Sequence, residues 1–82
     1  MNAYKIKGTS NQVGAIGKPE PFERITTANN PREAYEQNRA YMYMNNREHV
    51  LTTEIQESKI AAITGLGAIG TQFHTIDPER YL

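Results

Sequence analysis

Eighty-two residues allow a single domain with a thin core, because a chain this short buries only a modest share of its surface. Nine basic and nine acidic residues cancel to zero net charge, whereas a free-standing nucleic-acid binder is usually basic, since phosphate neutralisation supplies much of its affinity. There is no cysteine for disulfide staples, no signal-peptide pattern in Met1 to Gly8 and no run near the roughly 20 apolar residues of a membrane span, so a reducing, cytoplasmic setting is expected.

Ala3-Tyr4-Lys5-Ile6-Lys7-Gly8 alternates apolar and charged residues, which predicts a half-buried strand with both lysines in solvent. Thr9 to Pro21, rich in Gly, Asn and Pro, reads as a long loop. Phe22 to Ala28 reads as a second strand. Its Phe22 and Ile25 fall on opposite faces, which predicts a bulge or cover on both sides.

Asn30-Pro31-Arg32-Glu33 is a helix start. The Asn30 side chain can accept from the Glu33 amide, Pro31 suits the first helical position, and the Glu33 carboxylate can reach back to the cap amide. The helix is expected from Pro31 to about Asn46. At 100° per residue Ala34, Tyr35, Tyr41, Met42 and Met44 share the apolar face, with Ala40 at its margin and Arg32, Glu36 and Arg39 opposite. Tyr43 points with the charges. Beside Arg39 it is either a wet tyrosine lying along its own helix or an interface anchor.

Asn45-Asn46 reads as a helix stop, and His49, between Glu48 and Val50, as a polar helix-end residue. Residues 53–63 fit neither period well. A third strand from about Thr53 to Ile63 is favoured over a helix capped by Thr53, because a lone hairpin against one helix is marginal. Beyond Gly65 the tail is expected to be irregular, with one closing helical turn at Asp77-Pro78-Glu79. Gly14-Ala15-Ile16-Gly17 recurs as Gly67-Ala68-Ile69-Gly70, a likeness too short to establish duplication.

Lys59 to Gly70 resembles the opening strand and G-x-G-x-x-G turn of a dinucleotide-binding domain. The residues after Gly70 make a poor helix, however, and leave no room for a second parallel strand with its acidic ribose ligand. His49 and His74 are the only histidines and lack metal-ligand spacing. Ser10 and Ser58 have no nucleophile context, and Glu54 with Glu57 fits a solvated face better than a catalytic pair. No catalytic residue, cofactor or metal is expected.

The order strand, long loop, strand, helix, strand is carried by Tyr4-Lys5-Ile6-Lys7-Gly8, Phe22 to Ala28, Ala34 within the helix, and Glu54-Ile55 in the last strand. It resembles the small ribosomal fold of the archaeal protein LX family and its eukaryotic large-subunit counterpart, over residues 4 to about 60. The chain departs from that pattern in its neutral charge, its Gln/Glu-rich stretch after Thr53 and its extra tail. The resemblance implies a non-catalytic structural protein docked on a ribonucleoprotein complex, with Lys5, Lys7, Arg24, Arg39 and Arg47 as phosphate contacts.

The expected fold is thus α+β: a small antiparallel β-β-α-β sheet covered by one amphipathic helix over residues 1–64, and a Gly-rich loop and irregular tail over 65–82. The expected function is binding of a protein or ribonucleoprotein complex through the helix face, around Tyr43, and the two glycine-containing loops. RNA contact and homo-oligomerisation stay open, and no membrane contact is expected. The alternative is a small phage-type inhibitor or adaptor, anti-CRISPR-like in composition and topology, that binds a host protein complex. A nucleotide-binding fragment built on the glycine run ranks third.

Overall fold

The computed structural model describes residues 2–14, 17–59 and 73–82. Within them lie β1 (Asn2–Gln12), β2 (Glu20–Ala28), α1 (Pro31–Met44), β3 (Arg47–Lys59), β4 (His74–Thr75) and a 3-10 turn, Pro78–Arg80. The strands form an antiparallel sheet in the order β2-β1-β3-β4, with α1 against one face. The α+β class and the β-β-α-β order therefore match the sequence expectation. Among the described residues no helix is long and apolar enough to cross a membrane.

Alternation along β1 sets the two faces of the sheet. Tyr4, Ile6, Gly8 and Ser10 are buried on the helix side, whereas Lys5, Lys7 and Thr9 are half-exposed on the other. Ile6 lies opposite Ile55, and Tyr4 opposite Glu57. Ala28 from β2 and Ala34 from α1 close on this row, small residues that let the helix approach the sheet. Phe22 packs at the margin, opposite Gly8. A Cβ on Gly8 would collide with the Leu51 carbonyl and crowd the Phe22 ring, so glycine is required there.

The helix starts as the cap residues dictate. The Asn30 side chain accepts from the Glu33 amide at 2.8 Å, and Pro31 occupies the first turn. The reciprocal half of the box is replaced, because the Glu33 carboxylate accepts instead from Gln37 at 3.2 Å. The buried stripe also differs from the expected one. It comprises Pro31, Ala34, Asn38 and Met42, with Tyr35 half-buried, while Ala40, Tyr41 and Met44 are exposed. Counting Pro31 and Asn38 as core positions rotates the stripe away from Met44 and leaves Tyr41 on its flank.

Two boundaries and the place of the bulges also move. β1 continues to Gln12, so the loop expected from Thr9 begins after it. The ambiguous third element is a strand that begins at Arg47, well before Thr53, and His49 is thus a strand residue rather than a helix-end one. The bulges fall between β1 and β3, at Lys7/Gly8 and Thr9/Asn11, whereas β1 and β2 pair without a shift and leave Ile25 60% exposed. At the helix-to-strand junction Asn46 (φ 61°) and His49 (φ 50°) adopt left-handed conformations, and the Asn46 carbonyl accepts from the Val13 amide at 2.8 Å.

The tail is more ordered than expected where it is described. The Ile76 amide donates to the Ile55 carbonyl at 3.0 Å, and Asp77 caps the 3-10 turn by accepting from the Glu79 amide at 3.0 Å. Ile76 and Tyr81 are buried in the same core as the strands. Tyr81 stacks on Tyr35 with ring centroids 5.6 Å apart, and its carbonyl accepts from Arg32 at 3.0 Å.

Candidate functional site

The C-terminal half of α1 carries three exposed large apolar side chains. Tyr41 is 47% exposed, Tyr43 50% and Met44 83%. Two arginines hold the rings. The Arg24 guanidinium, reaching over from β2, sits 3.5 Å from the Tyr41 centroid and donates to the buried Asn38 Oδ1 at 3.1 Å. Arg39 lies between two rings, 5.8 Å from Tyr35 and 6.0 Å from Tyr43. Cation–π contacts of this kind limit the freedom of both partners while leaving ring edges and hydroxyls accessible. Tyr43 and Arg39 therefore sit together on the surface, whereas Arg24 with Tyr41 lies on the other flank of the helix, toward β2.

The other basic residues lie elsewhere. Lys5 and Lys7 project from the sheet face opposite the helix, where Lys5 Nζ caps the Phe73 ring at 4.8 Å and Lys7 lies 3.8 Å from Glu23. Arg47, at the far end of the sheet, donates from Nε to Ser10 Oγ at 3.0 Å and from Nη2 to the Ser10 carbonyl at 3.3 Å and to Glu20 at 3.2 Å. It satisfies a fully buried serine as well as bridging to Glu20. The six sequence candidates thus divide among four places, and acidic side chains neutralise two of the basic groups.

A polar cluster that sequence reasoning missed ties the tail to the sheet. The Tyr4 hydroxyl donates to Glu57 Oε2 at 2.7 Å, the Asn2 side chain donates to the same oxygen at 3.4 Å, and Arg80 donates to Oε1 at 3.4 Å. Burial pushes the Glu57 carboxyl up, but the Tyr4 hydroxyl, Arg80 and Asn2 together outweigh it and leave the group below its ordinary value. Burial raises Tyr4, and the adjacent carboxylate adds to the effect. From the sequence alone these are a half-buried strand position and a solvated glutamate. Only the register that places Tyr4 opposite Glu57 brings them together.

Glu57 is thus a hydrogen-bonded anchor between β1, β3 and the tail. Glu54 accepts from Thr75 at 2.6 Å and from Gln56 at 2.9 Å, and these bonds hold its carboxyl below the usual range. His49 and His74 are exposed, and among the described residues no group of three or more His, Cys, Asp or Glu could hold a metal ion. An open depression of about 450 Å³ lies between Lys7, Pro21, Phe22, Glu23 and Thr53, bordered by the Lys7–Glu23 ion pair. The glycine run Gly65 to Gly70 and the Ala15-Ile16 portion of the first glycine loop lie outside the described residues.

No family model, curated protein or solved structure matches the chain.

Proposed function

We propose that the protein is a non-catalytic binding module of the cytoplasm whose partner is another protein, taken by the outward C-terminal half of α1. The observation that carries this reading is the exposed pair Tyr43 and Met44, 50% and 83% exposed, with the Tyr43 ring beside the Arg39 guanidinium. Tyr, Met and Arg are the residue types enriched in protein interfaces, and rings already held by guanidinium groups lose less freedom on binding. An inhibitor or adaptor acting on a protein complex fits this surface.

Docking on ribosomal RNA, as the LX-type resemblance implies, needs basic side chains free to meet phosphates. The division of Lys5, Lys7, Arg24, Arg39 and Arg47 among separate faces, with Lys7 and Arg47 already bridged to glutamates, supports that reading less well.

The test is affinity capture from the native host with the wild type, Tyr43→Ala and Lys5→Ala/Lys7→Ala as baits. A protein retained through a high-salt wash by the wild type and the lysine variant, but lost with Tyr43→Ala, is expected. Salt-sensitive co-sedimentation with large ribosomal subunits, lost with the lysine variant, would overturn the reading in favour of RNA docking.

A further inference from the structure

Among the described residues, the two edges of the sheet differ in kind. One is β4, only two residues long, and the other is β2, nine residues long and paired with β1 without a bulge. Long regular edges invite further pairing, and proteins usually blunt them with lysine, proline or bulges. β2 has no lysine and carries proline only at Pro21, next to its start.

That proline fixes which backbone groups face outward. Pro21 lies opposite Thr9 and has no N–H to exchange, so this is a non-hydrogen-bonded pair of the antiparallel ladder. By alternation Phe22, Arg24, Thr26 and Ala28 bond to β1, whereas Glu23, Ile25 and Thr27 turn their N–H and C=O groups to the edge that no described strand pairs. The Lys7 carbonyl agrees: it accepts from the Thr53 hydroxyl at 3.2 Å and so points to β3, as alternation requires of the residue opposite Glu23.

We infer that β2 pairs antiparallel with β2 of a second copy of this chain, about a two-fold axis at Ile25, giving one continuous sheet across two protomers. The register follows from charge. An axis at Glu23 would oppose two carboxylates, and one at Arg24 two guanidinium groups, both unfavourable when directly opposite. An axis at Ile25 sets it against the partner's Ile25, covering a side chain that is 60% exposed. It also sets Glu23 against the partner's Thr27 and Phe22 against the partner's Ala28. Every outward N–H from Glu23 to Thr27 then meets a carbonyl. Because the axis is perpendicular to the sheet, both helices lie on one side, so the surface proposed above is duplicated rather than buried by the sheet itself.

The test combines mass in solution with cross-linking, and the absence of native cysteine makes both clean. Light scattering should give a species of twice the 9.3 kDa chain mass. Ile25→Pro and Ile25→Lys should both return it to the monomer, and the lysine variant keeps the backbone of β2 intact should the proline disturb folding. Under mild oxidation I25C should cross-link to the dimer and R24C should not, since directly opposed residues lie about 5.5 Å apart at Cα, within disulfide reach. A monomer at all concentrations, a dimer untouched by both Ile25 variants, or preferential R24C cross-linking would overturn the inference. Tyr43→Ala should leave the dimer unchanged, which separates this outcome from that of the proposed binding surface.

Discussion

The Tyr4 hydroxyl and Glu57 Oε2 are 2.7 Å apart, a charge-assisted bond between residues 53 positions apart in the chain. Glu57 is also bridged to Arg80, so one 13%-exposed carboxylate joins β1, β3 and the tail. Tyr4→Phe leaves that carboxylate short of a donor and should cost about 1.5–3 kcal/mol, measured by urea unfolding.

The same carboxylate makes stability depend on pH. Its folded-state pKa lies below the ordinary 4.5, so the stabilisation is present above that value and is lost as pH falls through the lowered one. Melting temperature should fall on acidification, and Glu57→Gln should flatten the slope. Tyr4 and Tyr81, both raised above 10.0, behave in the opposite sense. Their contribution is present below pH 10 and is lost as pH rises through the raised values, which an alkaline melting series reads.

Asn30→Ala removes the acceptor for the Glu33 amide and should lower stability by about 1 kcal/mol. Asn30→Asp should retain most of it. A pair of thermal melts distinguishes loss of the cap from a general surface effect.

Tyr81→Ala should cost about 3 kcal/mol, as for other large buried rings, because it empties the space beside Tyr35 and Ile76. Tyr43→Ala, on an exposed ring, should stay within about 0.5 kcal/mol of the wild type. The contrast, read by chemical denaturation, separates core aromatics from those of the proposed binding surface.

Gly8→Ala should be among the most damaging single substitutions, because the new Cβ collides with the backbone of β3 rather than with a movable side chain. A loss of about 3 kcal/mol is expected, with circular dichroism checking whether the sheet survives.

What was legible in the sequence was local. The Asn30 cap and Pro31 fixed the helix start, and Asp77 with Pro78 fixed the closing turn, because each device acts within a few residues. The start of β3 was hidden because the left-handed His49 and the register shifts beyond Thr52 break the two-residue period on which strand reading depends. The helix face was drawn too wide because Asn38, a polar residue buried against Arg24, was not counted as core. The Tyr4–Glu57–Arg80 cluster had no local signature at all.

The central place of β1 bears on how the chain is made. It is made before β2 and β3 and can pair early with β2, yet its other edge waits for β3, which ends at Lys59. At about 5–20 residues per second that wait lasts a few seconds, during which a hairpin with one unmatched inner edge is exposed. Newly made chains should therefore depend on chaperone protection until β3 is in place.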